Sequence, residues 1–373
     1  MRQLLLLVLL IHAHNSVRNR TKLHRSALLS PSQSPWERLY HHGDASSFLL
    51  MTGLTRSAFR SLHATLFDNN IQRLVARRGR PGLLNSAAQL GLFLFFIGST
   101  MGIKHLCMIF GVVPSVCSDV INKMLRLVVT KLKRNPLARV RFPDAGKMAH
   151  FARLIQSREP ATDDVIGFMH GLALTSECTS EDIEQNAMYN GYHSDTMVNN
   201  IFAYGPDGKV FLCAVNFPGS WHDGSITANI LPYIRNNIGN YKMCVDQGFP
   251  RTGDASQILV GPISKRQARN LAPNLRPYLL RISNVYTSLR QASEWGMRSL
   301  QGTFPRCKKR LPGNAAKQKL VIQSIVLIHN FRTELVGLNQ ISTVFDPEYE
   351  RYINLRGYDR IRRYYFQNDD VEI

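Results

Sequence analysis

The pattern of hydrophobic and polar positions changes character near residue 145 of the chain. Before that point apolar residues recur at helical spacing, and after residue 160 they form runs of strand length. In the first part Thr55 is placed to cap a helix that continues through Leu66. The pattern therefore predicts a helical N-terminal region that is followed by a domain containing a sheet.

Two consecutive helices are predicted in the second half of the N-terminal region. Ile103, Leu106 and Phe110 form one apolar face, Gly111 ends that helix, and Pro114 or the residue after it begins the next helix. These are the proportions of a DNA-reading helix-turn-helix, and an ordinary antiparallel helix pair has the same pattern.

The strand-like part of the chain has a definite order of elements. The run at 165–174 predicts a strand, and the next two runs are joined by a hairpin turn that contains Gly208. A loop and a helix follow with Asp223 near the helix start, and a fourth apolar run ends at Asp246. A later helix carries Glu294 in its middle. The predicted order is β-β-β-α-β, with one further helix.

The composition favours a polyanionic partner. The chain has 373 residues, and its 46 Lys and Arg against 26 Asp and Glu leave a formal net charge of +20. Nucleic acid is the leading partner class, and an anionic membrane surface fits less well because no long amphipathic basic helix is evident. We predict no membrane segment, since the run at 90–98 is too short. The apolar stretch 4–11 resembles a signal peptide, and we interpret it as part of an N-terminal helix.

The six cysteines indicate neither a zinc site nor a disulfide scaffold. They are scattered along the chain and contain no C-x-x-C pair. Cys213 and Cys244 lie in apolar, strand-like runs, where cysteine is usually a small buried hydrophobic residue. A reducing compartment is therefore expected.

Four segments are predicted along the chain. They are a helical and basic region at 1–82, a region at 83–145 that resembles a helix-turn-helix, a strand-containing domain at 146–335 and a tail at 336–373.

Several motifs stand in order along the chain: "VIGFMHGLAL" and "EQNAMYNGYHSDTMVNNIFAYGPDGKV" over the first three strands, "VNFPGSWHDGSI" before a helix, "VDQGFP" at a strand end, "EWGMRSLQGTF" in a later helix and "LIHNF" in the last helix. Over nearly the whole chain they resemble the motifs of the PIF/Harbinger-type DDE transposases and the endonucleases derived from them, in which the third segment matches a Pro-Gly-Ser-x-His-Asp signature. The resemblance implies an RNase H-like α/β endonuclease domain at 146–335 that holds two divalent ions, Mg²⁺ or Mn²⁺, and cuts or joins DNA phosphodiesters. It also implies a nuclear location and a Myb-like partner protein.

Three acidic residues match acidic positions of that family. Asp246 and Glu294 match the second and third members of its triad, and Asp223 matches a further acidic position. The first and fourth strands are neighbours in an RNase H-like sheet, so these residues are expected to converge with His170 around one cleft, where carboxylates suit divalent cations. Each residue also has an ordinary explanation: Asp246 as a turn former, Asp223 as a helix cap and Glu294 as a solvated helix residue.

His170 departs from the family pattern. It stands in "FMHG", where the family has its first aspartate before a glycine. A neutral imidazole offers one nitrogen and no negative charge, so it is a poor bridge between two hard cations. Asp164 is too far along the strand to substitute, because six strand residues span roughly 20 Å. We therefore expect weak or absent Mg²⁺-dependent catalysis. The alternatives are an inactive DNA- or protein-binding module and, more remotely, a zinc hydrolase that uses His170 with His222.

Two basic segments are candidates for contact with the DNA backbone. Arg78 and Arg80 lie in "RGRP", the core of a minor-groove AT-hook, which is also a common composition for a basic linker. Arg306, Lys308 and Lys309 follow the glutamate helix, where a solvated basic face would look the same.

Overall fold

The structure, a computed structural model, describes residues 2–20, 23–67, 82–162, 164–179, 181–337 and 339–345. The chain separates into two compact units, 1–124 and 125–373. The four segments predicted from the sequence were drawn from changes in pattern, and their boundaries stay predictions. Most of the predicted tail at 336–373 lies outside the described residues.

The first unit is built from helices over its described residues. Thr55 caps α4 as predicted, since its hydroxyl accepts a hydrogen bond from the amide of Ala58 at 3.2 Å. The helices are α1 (Arg2–Arg20), α2 (Pro35–His42), α3 (Ala45–Thr52), α4 (Arg56–Leu66), α5 (Ser86–Ile97), α6 (Ile103–Phe110) and α7 (Pro114–Leu132), of which α7 continues into the second unit.

Trp36 is the centre of the core of the first unit. Its side chain is buried, and the rings of Tyr40 and Phe110 stack on it with centroids 5.5 and 5.4 Å away. Gly91 of α5 lies directly against the indole, because a Cβ there would come within 2.3 Å of the ring. These contacts hold α2, α5 and α6 together.

The predicted helix, turn and helix are present. Gly111 ends α6 with a left-handed backbone (φ 66°), which a residue with a side chain adopts at a cost, and α7 begins at Pro114. The two helices meet at 96°. This angle lies in the range of helix-turn-helix units.

The second unit contains one mixed sheet. Its strand order, β4-β3-β1-β5-β6, is that of RNase H, and β1 pairs antiparallel with β3 and parallel with β5. The four strands predicted from the sequence are present as β1, β3, β4 and β5, and their presence in one sheet with flanking helices confirms the α/β fold class. The short strands β2 and β6 and the helix before β2 were not predicted. The strands are β1 (Val165–Thr175), β2 (Tyr189–Asn190), β3 (Asp195–Tyr204), β4 (Val210–Pro218), β5 (Lys242–Cys244) and β6 (Leu259–Val260).

Helices cover both faces of this sheet. Met148 and Phe151 of α8 and Ile226 and Ile234 of α10 pack in one core with Met169 of β1. On the other face α12 packs against β1 and β5, and α13 packs against β4. The helices of this unit are α8 (Ala145–Arg158), α9 (Asp182–Met188), α10 (Asp223–Ile238), α11 (Lys265–Arg269), α12 (Arg276–Thr303), α13 (Ala315–Val336) and α14 (Gln340–Phe345).

No single helix in the described part of the chain has both the length and the apolar composition needed to cross a bilayer. Only the bent pair α6 and α7 meets both requirements, and it does so only when the two are counted together.

Candidate active site

His170 lies at the point where β1 loses its parallel neighbour. The last pair between the two strands joins Phe168 to Cys244, the final residue of β5. Beyond it β1 changes from buried residues to partly exposed ones, beginning at His170. The end of β5 therefore opens a rim of the sheet, and the imidazole stands at that rim.

Asp246 follows β5 directly and meets His170 there. His170 Nδ1 is 3.4 Å from Asp246 Oδ2, a contact without hydrogen-bond geometry, so this buried nitrogen has no hydrogen-bond partner. The amide of Gly248 donates to Asp246 Oδ1 at 2.8 Å, which makes Asp246 a turn former as well. Burial raises the pKa of Asp246, but His170, the Gly248 amide and the charge of Arg290 outweigh it, so the pKa lies below its ordinary value.

Asp223 reaches the same rim from α10. It is the first residue of that helix, and the N-cap position belongs to His222, so Asp223 is not the helix cap. Its carboxylate lies over Gly171, where a Cβ would come within 2.3 Å of Asp223 Oδ1. Only glycine fits next to His170 with the carboxylate in this place. Burial raises the pKa of Asp223, and the nearby charge of Asp246 raises it further against the opposing effect of His170 and His222.

The two aspartates face one small space. A Cβ at Gly248 would lie 3.2 Å from Asp246 Oδ1 and 3.5 Å from Asp223 Oδ2. Among the residues predicted for the site, His170, Asp223 and Asp246 are brought together. This convergence follows from the sheet order, which places β1 beside β5.

Glu294 occupies the predicted helix and is paired with a neighbour on that helix. It lies on α12, which packs against β1 and β5, and its Oε1 pairs with Arg290 Nη1 at 2.8 Å. Arg290 lines a cavity of about 580 Å³ together with Asp246. Arg290 is a site residue that the sequence reasoning missed, and its position four residues before Glu294 was the available signal.

Asp164 does not enter the site. It forms an ion pair with Lys242 at the beginning of β5, and its carbonyl accepts the Lys242 amide at 2.7 Å. This agrees with the expectation that it lies too far along the strand from His170.

The ligand set of the rim suits one hard cation better than two. Across the described residues, no three or more His, Cys, Asp or Glu side chains are arranged to hold a metal ion together. Asp223 and Asp246 still offer two carboxylates to one space, and one or two carboxylates with water are the usual protein share of a Mg²⁺ shell. The residues therefore fit one divalent cation between these aspartates and do not fit a pair.

The predicted DNA-contacting residues differ in their surroundings. Lys308 and Lys309 are exposed, whereas Arg306 is partly buried beside Glu177, and burial lowers its pKa. Arg78 and Arg80 lie outside the described residues.

All six cysteines are free. Cys244 is buried in the sheet as its apolar setting predicted, whereas Cys213 is only partly buried.

A comparison with known families identifies the segment that carries the three acidic residues. Residues 174–330 match the family model described as DDE superfamily endonuclease. The match begins just after His170 and Gly171, so it includes Asp223, Asp246 and Glu294 but not the imidazole position. Neither the search of curated proteins nor the search of solved structures returned a significant match. By this match, the larger part of the RNase H-like domain is similar to the DDE superfamily endonucleases.

Proposed function

We propose that this chain is a DDE-type endonuclease of PIF/Harbinger transposase descent, which acts on DNA phosphodiesters and is impaired by His170. One observation carries the proposal. His170, Asp223 and Asp246 meet at the end of β5 in an RNase H-like sheet, beside and within a segment similar to the DDE superfamily endonucleases. Nuclear location and a Myb-like partner are part of the same proposal.

A divalent cation, Mg²⁺ or Mn²⁺, would be held by Asp223 and Asp246. When bound, it would supply Lewis-acid polarisation of a phosphate oxygen. The lowered pKa of Asp246 keeps that carboxylate ionised and ready to attract a cation. Arg290, which lines the cavity beside Asp246, supplies a positive charge suited to a phosphate group.

The second cation expected from the family lacks its ligands here. It would need an anionic oxygen at position 170 and a Glu294 released from Arg290. These two features favour a second candidate function, a DNA-binding module of transposase origin that has lost catalysis.

The test is the nicking of supercoiled plasmid by the parent chain and by His170→Asp, with Mg²⁺ and with Mn²⁺. We expect His170→Asp to raise the rate of nicking with Mg²⁺ at least tenfold, because it restores an anionic oxygen beside Asp246. A tenfold change in rate corresponds to about 1.4 kcal/mol in the activation barrier. Mn²⁺ should support nicking by the parent chain better than Mg²⁺ does, since imidazole is a better ligand for Mn²⁺ than for Mg²⁺.

Two control variants separate charge from shape. His170→Asn has the size of aspartate without its charge, so it should stay inactive. Adding Glu294→Gln to His170→Asp should remove the gained activity. A parent that already nicks as fast as His170→Asp with Mg²⁺ would show that His170 is not the defect. If His170→Asp is folded, bound to DNA and still inactive, the binding-module function replaces the nuclease.

A further inference from the structure

An open cavity of about 550 Å³ has Asp223 on its lining and extends from that carboxylate over surface that the chemistry above does not use. It is lined by β1 beyond His170, by the turn after β2 and by the loop that precedes α10. Two large aromatic side chains on this lining face solvent, Tyr192 with 91% of its surface exposed and Trp221 with 37%. Exposed aromatic faces beside a carboxylate site are suited to stacking on a flat ligand group.

Trp221 is held in a fixed position. Its carbonyl accepts a hydrogen bond from the buried Asn199 amide at 2.6 Å, and its own amide donates to Pro218 at 3.0 Å. Gly219 is held by the Asn190 side chain at 2.7 Å, and the indole packs on Phe217 with centroids 5.9 Å apart. The carbonyls of Gly219 and Trp221 are thus bonded inside the protein, and the loop presents the indole to the cavity together with the side chains of Ser220 and His222.

The geometry points to Trp221 as a stacking platform for an unpaired DNA base whose phosphate lies at the Asp223 and Asp246 carboxylates. This inference rests on the proposed function. A base is neutral, so it can lie beside the two carboxylates without repulsion, whereas its phosphate would lie there only with the cation of the proposed function bound. A base inside a duplex is already stacked on its neighbours, so the platform selects a base that has left the helix. Tyr192 lines the same cavity and supplies a second aromatic contact.

The test measures the affinity of the full chain for one oligonucleotide in single-stranded and in duplex form, with a single 2-aminopurine as the fluorescent base. Trp221→Ala should weaken single-strand binding roughly 5- to 100-fold and remove the quenching of 2-aminopurine, since one base stack is lost. Duplex affinity should not change. Trp221→Phe should keep most of the single-strand affinity because it retains an aromatic face.

Tyr233→Ala is the matched control, an exposed aromatic residue on α10 that lies outside this cavity, and it should bind both forms like the parent. Equal single-strand affinity and equal quenching for the parent and Trp221→Ala would overturn the stacking inference and leave the proposed function in place. A parent that binds neither form of DNA would instead overturn the proposed function, and the stacking role with it.

Discussion

At the scale of single residues, the two aspartates of the rim have opposite electrostatic settings. Asp223 is partly buried and is repelled by Asp246, so its pKa lies above the ordinary value. Asp246 is stabilised by His170, by the Gly248 amide and by Arg290, which overcome its burial, so its pKa lies below the ordinary value. Ionisation of Asp223 therefore destabilises the folded protein, whereas ionisation of Asp246 stabilises it.

We predict that Asp223→Asn raises the melting temperature of the metal-free protein at pH 7, by roughly 2–4 °C for each kcal/mol gained. The raised pKa means that the cost appears as the pH rises above the ordinary carboxyl value, so the gain should be absent near pH 3. Asp246→Asn should lower the melting temperature at pH 7, and this loss should also fade as the pH falls. Calorimetry in the presence of a chelator measures both. Shifts in the same direction at pH 7 would contradict the opposite settings.

At the scale of elements, the site depends on how closely α12 approaches the sheet. Gly296 lies two residues after Glu294 and faces Tyr204 of β3, where a Cβ would come within 2.8 Å of the ring. Tyr204 is fully buried, and its hydroxyl contacts the sulfur of Met297 at 3.7 Å. The ring has no room to give way, so this glycine sets the distance between the sheet and the helix that carries Arg290.

We predict that Gly296→Ala destabilises the protein by ~1–3 kcal/mol, the usual range for overpacking a core. Gly302→Ala is the control on the same helix, because nothing lies within 4 Å of a Cβ there, and it should be neutral or stabilising by ~0.5–1 kcal/mol. Denaturant unfolding of both variants measures the difference. If the two variants have equal stability, Gly296 does not set the helix position.

At the scale of the whole molecule, the formal net charge of +20 supplies phosphate contacts that do not depend on the metal ligands. We predict that duplex DNA binding weakens steeply with salt, with a slope of log affinity against log salt of about −4 or steeper, which corresponds to roughly five phosphate contacts. Asp246→Ala should keep this slope. Titrations at several salt concentrations test both statements, and a salt-insensitive or undetectable interaction would argue against any nucleic-acid role.

The sequence by itself determined the elements and their order. Thr55 at its helix start, Gly111 at its helix end and the hairpin at Gly208 are confirmed because caps and turns depend on a few adjacent residues. Apolar runs of strand length were enough to predict β1 and the long strands, and with them the α/β fold class. The short elements α9, β2 and β6 were missed, since so few residues show no periodicity.

Only the tertiary structure decided what the site residues contact. The end of β5 opposite Phe168 exposes His170, the Asp223 carboxylate lies over Gly171, and Arg290 engages Glu294. The first two of these contacts join residues that are dozens of positions apart in the chain, so no local pattern encodes them. The third has a local spacing, but whether a glutamate pairs along its helix or reaches across to the sheet depends on the position of α12. Burial and the charges of neighbours set the opposite pKa directions of the two aspartates, and both come into being only when the chain is packed.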